Sequence, residues 1–481
     1  MTDASILAWD QVLAEFQRIW GYPNFRPPQD AIIRALLAHR DLLVVLPTGG
    51  GKSICFQLPA LLQSGLTLVV SPLLALMENQ VQELQAKQLP AAALHSELSP
   101  RRRYEILQAL DRQQLRLLYL SPETLLSPPV WQRLAQPQIQ INGLILDEAH
   151  CLVQWGETFR PAYRRLGAVR QALSQQRSTP IPVAAFTATA DPQAQQTLVQ
   201  VLQLRSPQRV CLNPHRPNLS LGVKTVLSPG HRHHLVRRHL ERHPRQAGLI
   251  YVRTRRDSET LAQQLAPHYA TAPYHGGLGG AQRRQIEADW MADRLQFVVC
   301  SNAFGMGVNK SSTRWVIHYQ APCTLSEYVQ EVGRAGRDGE PATALTLVSE
   351  PTGWLDPSDR QRAQFFQRQT QALRHKAEQL VHQIPPSGEV GEVSQRFSHG
   401  AIALAWLHST GQLEWLDPFR YRLRPGPARP PTLQTNASQQ MHRFLHGRQC
   451  RWQALLLAFG FTAEAHHLGT CGHCDNCGTD N

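Results

Sequence analysis

The segment Leu46-Pro47-Thr48-Gly49-Gly50-Gly51-Lys52-Ser53 sets three glycines, a lysine and a hydroxyl in one turn, a combination suited to polyphosphate. Glycines let backbone N–H groups converge on phosphate oxygens, and a helix that starts there adds the positive end of its dipole. Thr48, Gly49, Gly50 and Gly51 then line a cradle, Lys52 reaches the β- and γ-phosphates, and Ser53 holds Mg2+. The general pattern has a glycine where Leu46 stands. Farther on, Asp147-Glu148 leads into Ala149-His150. Paired carboxylates at a strand end are the usual partner of such a cradle: Asp147 would hold the metal and Glu148 would orient or deprotonate the attacking water. Thr187-Ala188-Thr189 offers hydroxyls toward the same crevice.

A different chemistry sits near the C-terminus. Cys450 is followed after 20 residues by Cys471-Gly472-His473-Cys474-Asp475-Asn476-Cys477. Two overlapping Cys-x-x-Cys steps and one distant thiolate supply four sulfur ligands for a tetrahedral Zn2+, and four filled positions make it structural. His466, His467 and His473 are competing ligands of lower rank.

These groups need strands and helices to place them. Leu42–Leu46, Leu66–Ser71, Leu115–Leu120, Leu144–Leu146 and Val183–Thr187 are short apolar runs separated by helical stretches, the pattern of a buried parallel sheet. The rhythm restarts at Gly248–Tyr251 and continues through Phe297–Cys300, Trp315–His318 and Ala344–Val348. Two α/β lobes are expected, joined near Pro214–Pro229. Ser358–Val381 reads as a polar helix. Gly388–Ser398 and Ala401–Ser409 read as two more, the second apolar nearly all round and therefore buried. Gly411–Arg424 reads as a β-hairpin with Asp417-Pro418 at its turn. Arg420, Arg422 and Arg424 lie on one face of its second strand, and Phe419, Tyr421 and Leu423 on the other. His231–His243 reads as a solvated basic helix opening the second lobe.

The chain has 481 residues, 42% of them hydrophobic, room for two to four domains. Its 49 Lys and Arg against 36 Asp and Glu give a net charge of +13, which favours a polyanionic partner, nucleic acid first. No apolar run approaches the roughly 18 residues of a membrane span. Met1-Thr2-Asp3-Ala4-Ser5 lacks the character of a signal peptide. A soluble, cytoplasmic protein is expected. Cys55, Cys151, Cys211, Cys300 and Cys323 read as reduced core residues.

The run from Asp147 through Trp155, Phe159, Arg160 and Tyr163 resembles the RecQ family of superfamily-two DNA helicases. Other blocks similar to that family follow in order: Trp20–Gln29, Ser71–Met77, Tyr119–Glu123, Ala185–Ala190, Tyr274–Leu278, Ala303–Lys310 and Gln330–Gly339. The likeness covers about residues 10 to 350 and the cysteine tail, and in that superfamily a leucine at the Leu46 position is normal. It implies two tandem RecA-like parallel-sheet lobes followed by a small helical, winged-helix-like insertion and a four-cysteine zinc module. The expected limits are 1–212, 213–350, 351–384 (the helical part of the zinc module), 385–435 (the insertion) and 436–481.

The resemblance also implies an ATP-dependent DNA helicase moving 3′ to 5′ with ATP and Mg2+, acting on single-stranded, duplex or branched DNA in recombination and repair. The alternative is a DNA-stimulated ATPase or remodeller that binds branched DNA without processive unwinding. Tyr22 would stack on adenine, Gln29 would bond the base edge, and Arg26 would support base or phosphate. Gln330, Arg334 and Arg337 come from the second lobe. The two guanidiniums, expected at the start of a helix, would reach the γ-phosphate only when the lobes close. Trp155, Phe159, Tyr163 and Arg160 would stack on unpaired bases and couple them to ATP turnover. The chain resembles a short form without the family's usual C-terminal winged-helix and HRDC domains. Arg420, Arg422 and Arg424 of the insertion are then candidate duplex contacts. The expected state is a nucleoid-associated monomer, with a single-stranded-DNA-binding protein as a candidate partner.

Overall fold

The computed structural model describes residues 8–155, 160–175, 177, 180–304, 310–426 and 433–478. Lobe 1 is a parallel sheet of β1 (Leu42–Val45), β2 (Leu66–Val70), β3 (Ala91–Leu94), β4 (Leu117–Leu120), β5 (Ile141–Leu146), β6 (Val183–Thr187) and β7 (Gln208–Cys211). Their spatial order is β3-β4-β2-β5-β6-β1-β7. Every residue of β1, β2, β3, β4 and β6 is buried, because helices cover both faces of a parallel sheet and the strands read as continuous Leu/Val/Ala runs. The topology places the ends of β1 and β5, which carry the cradle and the carboxylates, on one edge with β6 between them. Ligands bind at that carboxyl edge in open α/β sheets.

Lobe 2 repeats the plan with β8 (Leu219–Val226), β9 (Gly248–Tyr251), β10 (Thr271–Tyr274), β11 (Phe297–Cys300), β12 (Trp315–His318) and β13 (Ala342–Ser349), in the order β10-β11-β9-β12-β13-β8. All its pairings are parallel. The apolar-run pattern passes over β3, β7, β8 and β10. The first is three alanines and a leucine, and β10 is only partly buried, so neither carries the Val/Ile signal of a core strand.

A third unit follows lobe 2. Helix Ser358–Val381 leads to β14 (Ser387–Glu389), helices Val390–Arg396 and Gly400–Ser409, then β15 (Leu413–Trp415) and β16 (Arg420–Leu423). The three strands form one antiparallel sheet, β14-β16-β15. Helix–strand–helix–helix–hairpin is the chain order of a winged helix. Its core holds Ile384, Val390, Leu404, Leu407, Trp415 and Tyr421. Ala377, Leu380 and Val381 of the long helix join that core, so the helix given above to the zinc module packs its end in the inserted unit instead.

The zinc module shares one core with lobe 2. Met441, Phe444, Cys450, Trp452, Leu455 and Cys474 pack with Leu219, Leu221, Tyr328 and Val332. A backbone bridge joins Leu221 to Cys474, and the Asp475 N–H donates to the Leu221 carbonyl at 3.0 Å.

Candidate active site and metal centre

β1 ends at Val45, and the chain turns through Gly49 and Gly51, both in the left-handed region at φ 87° and 70°, before the helix Lys52–Leu62 begins. A side chain at Gly51 would be strained at this φ, and its Cβ would displace the side-chain nitrogen of Gln29. Gln29 is buried: its Nε2 donates to the Gly50 carbonyl at 3.3 Å and its Oε1 accepts the Arg26 N–H at 2.9 Å. The amide assigned to adenine is thus engaged by the cradle itself. Tyr22 is half-exposed beside Phe16, with ring centroids 6.1 Å apart.

Lys52 and Glu148 face each other across this turn, Nζ to Oε1 at 3.7 Å. The buried Lys52 ammonium makes no hydrogen bond among the described residues, a cost that an anion in the cradle would relieve. Asp147 is buried and accepts the Glu148 N–H at 3.0 Å. Burial, then the charge of Glu148, raises the Asp147 carboxyl to about 6. Burial alone would also raise Glu148, but the charges of Lys52, His150 and Arg334 hold it well below the ordinary carboxylate range. One carboxylate is therefore kept ionised by cations while its neighbour seeks another positive charge. Glu148 also takes a positive φ of 48°, a conformation non-glycine residues reach at an energetic cost. His150 Nδ1 lies 3.2 Å from Glu148 Oε2 and 3.1 Å from Thr187 Oγ1, which ties the β5 and β6 ends together.

Lobe 2 completes the arrangement. Arg334 and Arg337 stand in the turn after the helix Leu325–Val332, rather than at the start of a helix, because Gly333 ends that helix. The Gly333 carbonyl accepts from Thr48 Oγ1 of the cradle at 2.8 Å, from Arg216 Nη1 at 3.1 Å and from Arg337 Nε at 3.3 Å. The Arg337 side chain approaches Gly49, and burial together with the charges of Arg334 and Arg216 depresses its guanidinium. Three arginines crowded at the mouth of a phosphate cradle favour a polyanion between them. Gln330 is half-buried, one turn before Arg334.

At the zinc module, Cys450, Cys471, Cys474 and Cys477 bring their Sγ atoms within 4.8 Å of one another. Helices Arg451–Ala458 and Thr462–Leu468 fill the long gap between the first two ligands. The sulfurs accept backbone N–H groups at 3.4 Å from Arg451, Cys471 and His473, the support that charged thiolates need. His473 turns its Nδ1 to the Cys471 carbonyl at 2.6 Å and is not one of the clustered groups.

Three family profiles match: DEAD/DEAH box helicase over residues 26–198, helicase conserved C-terminal domain over 231–339 and RecQ zinc-binding over 425–478. The chain is 57% identical to the ATP-dependent DNA helicase RecQ of Synechocystis sp. over 96% of its own length and 97% of that protein's. The chain belongs to the RecQ family. It is an ATP-dependent DNA helicase with a zinc-binding domain. It is also 38% identical to the probable ATP-dependent DNA helicase RecS of Bacillus subtilis, over 70% of this chain and 66% of that protein. To RecQ of Haemophilus influenzae it is 36% identical, over 78% and 59%. Among solved structures it resembles Mss116p bound to single-stranded RNA and AMP-PNP, with a TM-score of 0.59 at 17% identity over 73% of this chain and 77% of that one. Mycobacterium smegmatis Lhr bound to single-stranded DNA and AMP-PNP matches with a TM-score of 0.56 at 19% identity over 90% and 61%. Both show the fold alone.

Of the candidate DNA contacts in this RecQ helicase, the Trp155 side chain and Phe159 lie outside the described residues. Arg160 lies 3.8 Å from Glu123. Tyr163 is fully buried in the lobe 1 core, so it is a packing residue and not a base stacker. Arg420 and Arg422 are exposed on β16 with Tyr421 buried between them. Arg420 pairs with Asp417 at 2.6 Å and Arg424 with Glu414 at 2.9 Å, whereas Arg422 has no acidic partner among the described residues. The hairpin tip rests on lobe 1: Arg165 Nη1 donates to the Pro418 carbonyl at 3.1 Å, and Phe419 meets Trp131 edge-on at 5.1 Å.

Two positioning elements were not read from the sequence. Arg216 in the inter-lobe linker bonds the carbonyls of Gly333 and Gly336, and Asn218 donates to those of Gly336 and Glu340 at 2.8 Å. Arg253 forms a bidentate pair with Glu331 at 3.0 and 2.7 Å, and His318 Nε2 lies 3.0 Å from the same carboxylate. Their signal was one of position only: Arg216 between two prolines at the joint, and Glu331 inside the motif that carries the arginines.

Proposed function

We propose that this helicase hydrolyses ATP with Mg2+ and couples lobe closure and opening to 3′-to-5′ movement on single-stranded DNA, parting duplex or branched DNA in recombination and repair. The observation that carries the proposal is the convergence of Lys52, Asp147, Glu148 and the Arg334–Arg337 turn on one cradle, with the Gly333 carbonyl bonded to Thr48 across the cleft. Lys52 and the cradle N–H groups hold the β- and γ-phosphates. Ser53 and the buried Asp147, whose raised carboxyl invites a cation, are the residues that fit Mg2+. The ion would neutralise phosphate charge. Glu148 orients the water, Arg334 and Arg337 stabilise charge in the transition state, and Gln330 approaches from the helix that precedes their turn. Tyr22 stacks on adenine, and Gln29 links the base side to Gly50 and Gly51. Trp155, Phe159 and Arg160 hold unpaired bases. The working unit is a cytoplasmic, nucleoid-associated monomer divided at 212, 350 and 435, the helix Ser358–Val381 counting with the inserted unit, and a single-stranded-DNA-binding protein is its candidate partner.

The docked hairpin tip favours a second reading, a DNA-stimulated ATPase that grips branched DNA without processive unwinding, because a tip held by Arg165 and Trp131 is not a free wedge. Strand displacement with ATP on a 3′-tailed duplex, a 5′-tailed duplex and an RNA duplex decides between them. Release from the 3′-tailed DNA alone supports the first. ATP consumption without release on any of the three supports the second.

A further inference from the structure

Between β13 and the inserted unit the chain makes a turn that the ATP site and the zinc centre do not use. The Glu350 carboxylate accepts the N–H groups of Thr352 at 2.7 Å and Leu355 at 2.9 Å, and the Thr352 hydroxyl as well. Thr352 Oγ1 in turn accepts the Trp354 N–H at 3.3 Å. This bonded turn holds the Trp354 indole 89% exposed, beside Leu355 at 63%. A large ring fixed in water stabilises nothing inside the molecule, and contiguous exposed apolar surface marks a binding site.

The helix that follows, Ser358–Val381, has 24 residues and is about 36 Å long at 1.5 Å per residue. From Arg360 to Lys376 it carries five Arg or Lys, five Gln and no Asp or Glu. Arg360, Phe365 and Arg368 are exposed. Of the nearby acids, Asp356 and Asp359 both bond Arg232 at 3.0 Å, and the Glu350 carboxylate is turned to the N–H and hydroxyl donors of its own turn. Arg360 lies against Gly353 and has no acidic partner among the described residues. Arg360 is thus an exposed cation next to the turn that carries the indole. One end of the helix is tied to the carboxyl end of β13, where Asp359 accepts the Ser349 N–H at 2.7 Å. The other end enters the core of the inserted unit, whose helix Gly400–Ser409 touches the turn Pro161–Arg165 just after the aromatic-rich segment of lobe 1.

We propose that Trp354 and the exposed face of this helix form a second site for an unpaired DNA strand, with Trp354 and Phe365 stacking on bases and Arg360 and Arg368 taking phosphates. The choice of occupant rests on the DNA-helicase assignment. Stacking on aromatic rings beside a basic track is how sequence-tolerant single-strand sites are built, since every base has a π-face. Amide side chains along the helix suit sugar and phosphate oxygens.

The test measures anisotropy of dye-labelled oligo(dT) with the full chain across a range of salt. Trp354→Ala is expected to weaken binding about five- to tenfold, and Trp354→Phe to recover most of it. Arg360→Gln with Arg368→Gln is expected to lower the slope of log affinity against log salt by about 1.4. Coincident thermal melting shows that the variants are folded. Equal oligo(dT) affinity of the parent and Trp354→Ala overturns the second site, including the case in which the patch docks a protein segment instead. Stimulation of the parent ATPase by the same oligo(dT) is read alongside, and its absence counts against the motor proposal rather than against this one.

Discussion

Thr48 Oγ1 donates to the Gly333 carbonyl at 2.8 Å, joining the phosphate cradle of one lobe to the arginine turn of the other across 285 positions of sequence. The same carbonyl receives Arg216 and Arg337. Cradle, linker and arginine turn thus meet at one oxygen, so the position of Arg334 and Arg337 relative to Lys52 depends on whether the lobes are closed.

Gly333→Ala tests that meeting point. A Cβ there would stand 2.7 Å from Thr48 Oγ1 and 2.8 Å from the Val329 carbonyl, and one of these contacts must give way. DNA-stimulated ATP turnover is expected to fall about tenfold or more, since a displacement near 1 Å at a reacting centre has effects of that size. Steady-state ATPase with saturating single strand measures it.

The Arg253–Glu331–His318 cluster makes a prediction about pH. Burial alone would raise the Glu331 carboxyl, but Arg253 and His318 hold it at about 2. A carboxyl lower in the folded than in the unfolded state stabilises fully above its unfolded value of roughly 4.3 and loses that contribution as pH falls toward 2. Glu331→Gln leaves a buried guanidinium uncompensated and is expected to cost about 3–5 kcal/mol near neutral pH. Melting of parent and variant should differ most near pH 7 and converge as the pH is lowered below about 4.

Zinc stoichiometry checks the cysteine cluster. One ion per chain is expected, released by a chelator together with partial unfolding, because metal binding and folding are one process in small zinc sites. Cys474→Ser should lose the ion. It should also loosen β8, since Leu221 is bridged to Cys474 and the Val223 N–H donates to Asp475 at 3.0 Å.

The three hairpin arginines should not contribute equally to duplex binding. Arg420 and Arg424 already face Asp417 and Glu414, whereas Arg422 has no such partner among the described residues. Arg422→Gln is expected to reduce the salt slope of duplex affinity by about 0.9, and either neighbour by less. Equal slopes for all three variants would show that the intramolecular pairs do not matter.

The cradle and most strands of both sheets, though not β3, β7, β8 and β10, were legible because a parallel sheet buried on both faces is written as short Leu/Val/Ile runs, and glycines at positive φ cannot be replaced silently. Trp315–His318 and Val183–Thr187 occupy the spans that their apolar runs indicate. The four cysteines were legible from spacing alone. What stayed hidden depends on partners distant in sequence. Tyr163 falls at helical spacing from Trp155, yet it packs inward, and a stripe does not state which side faces solvent. Helix Ser358–Val381 is visible as a helix, but only the fold shows its end joining the inserted unit. Arg216 is one arginine among many until its contacts with Gly333 and Gly336 are seen.

The central claim is a site completed across the cleft, and Arg334→Gln and Arg337→Gln test it most directly when turnover and nucleotide affinity are measured separately on the same protein. With saturating single-stranded DNA, kcat for ATP is expected to fall by about 10^3 in either variant, while the Kd of a fluorescent ATP analogue changes by no more than about fivefold. A kcat within about threefold of the parent in both variants would contradict the account, because lobe 1 alone would then suffice for the chemistry.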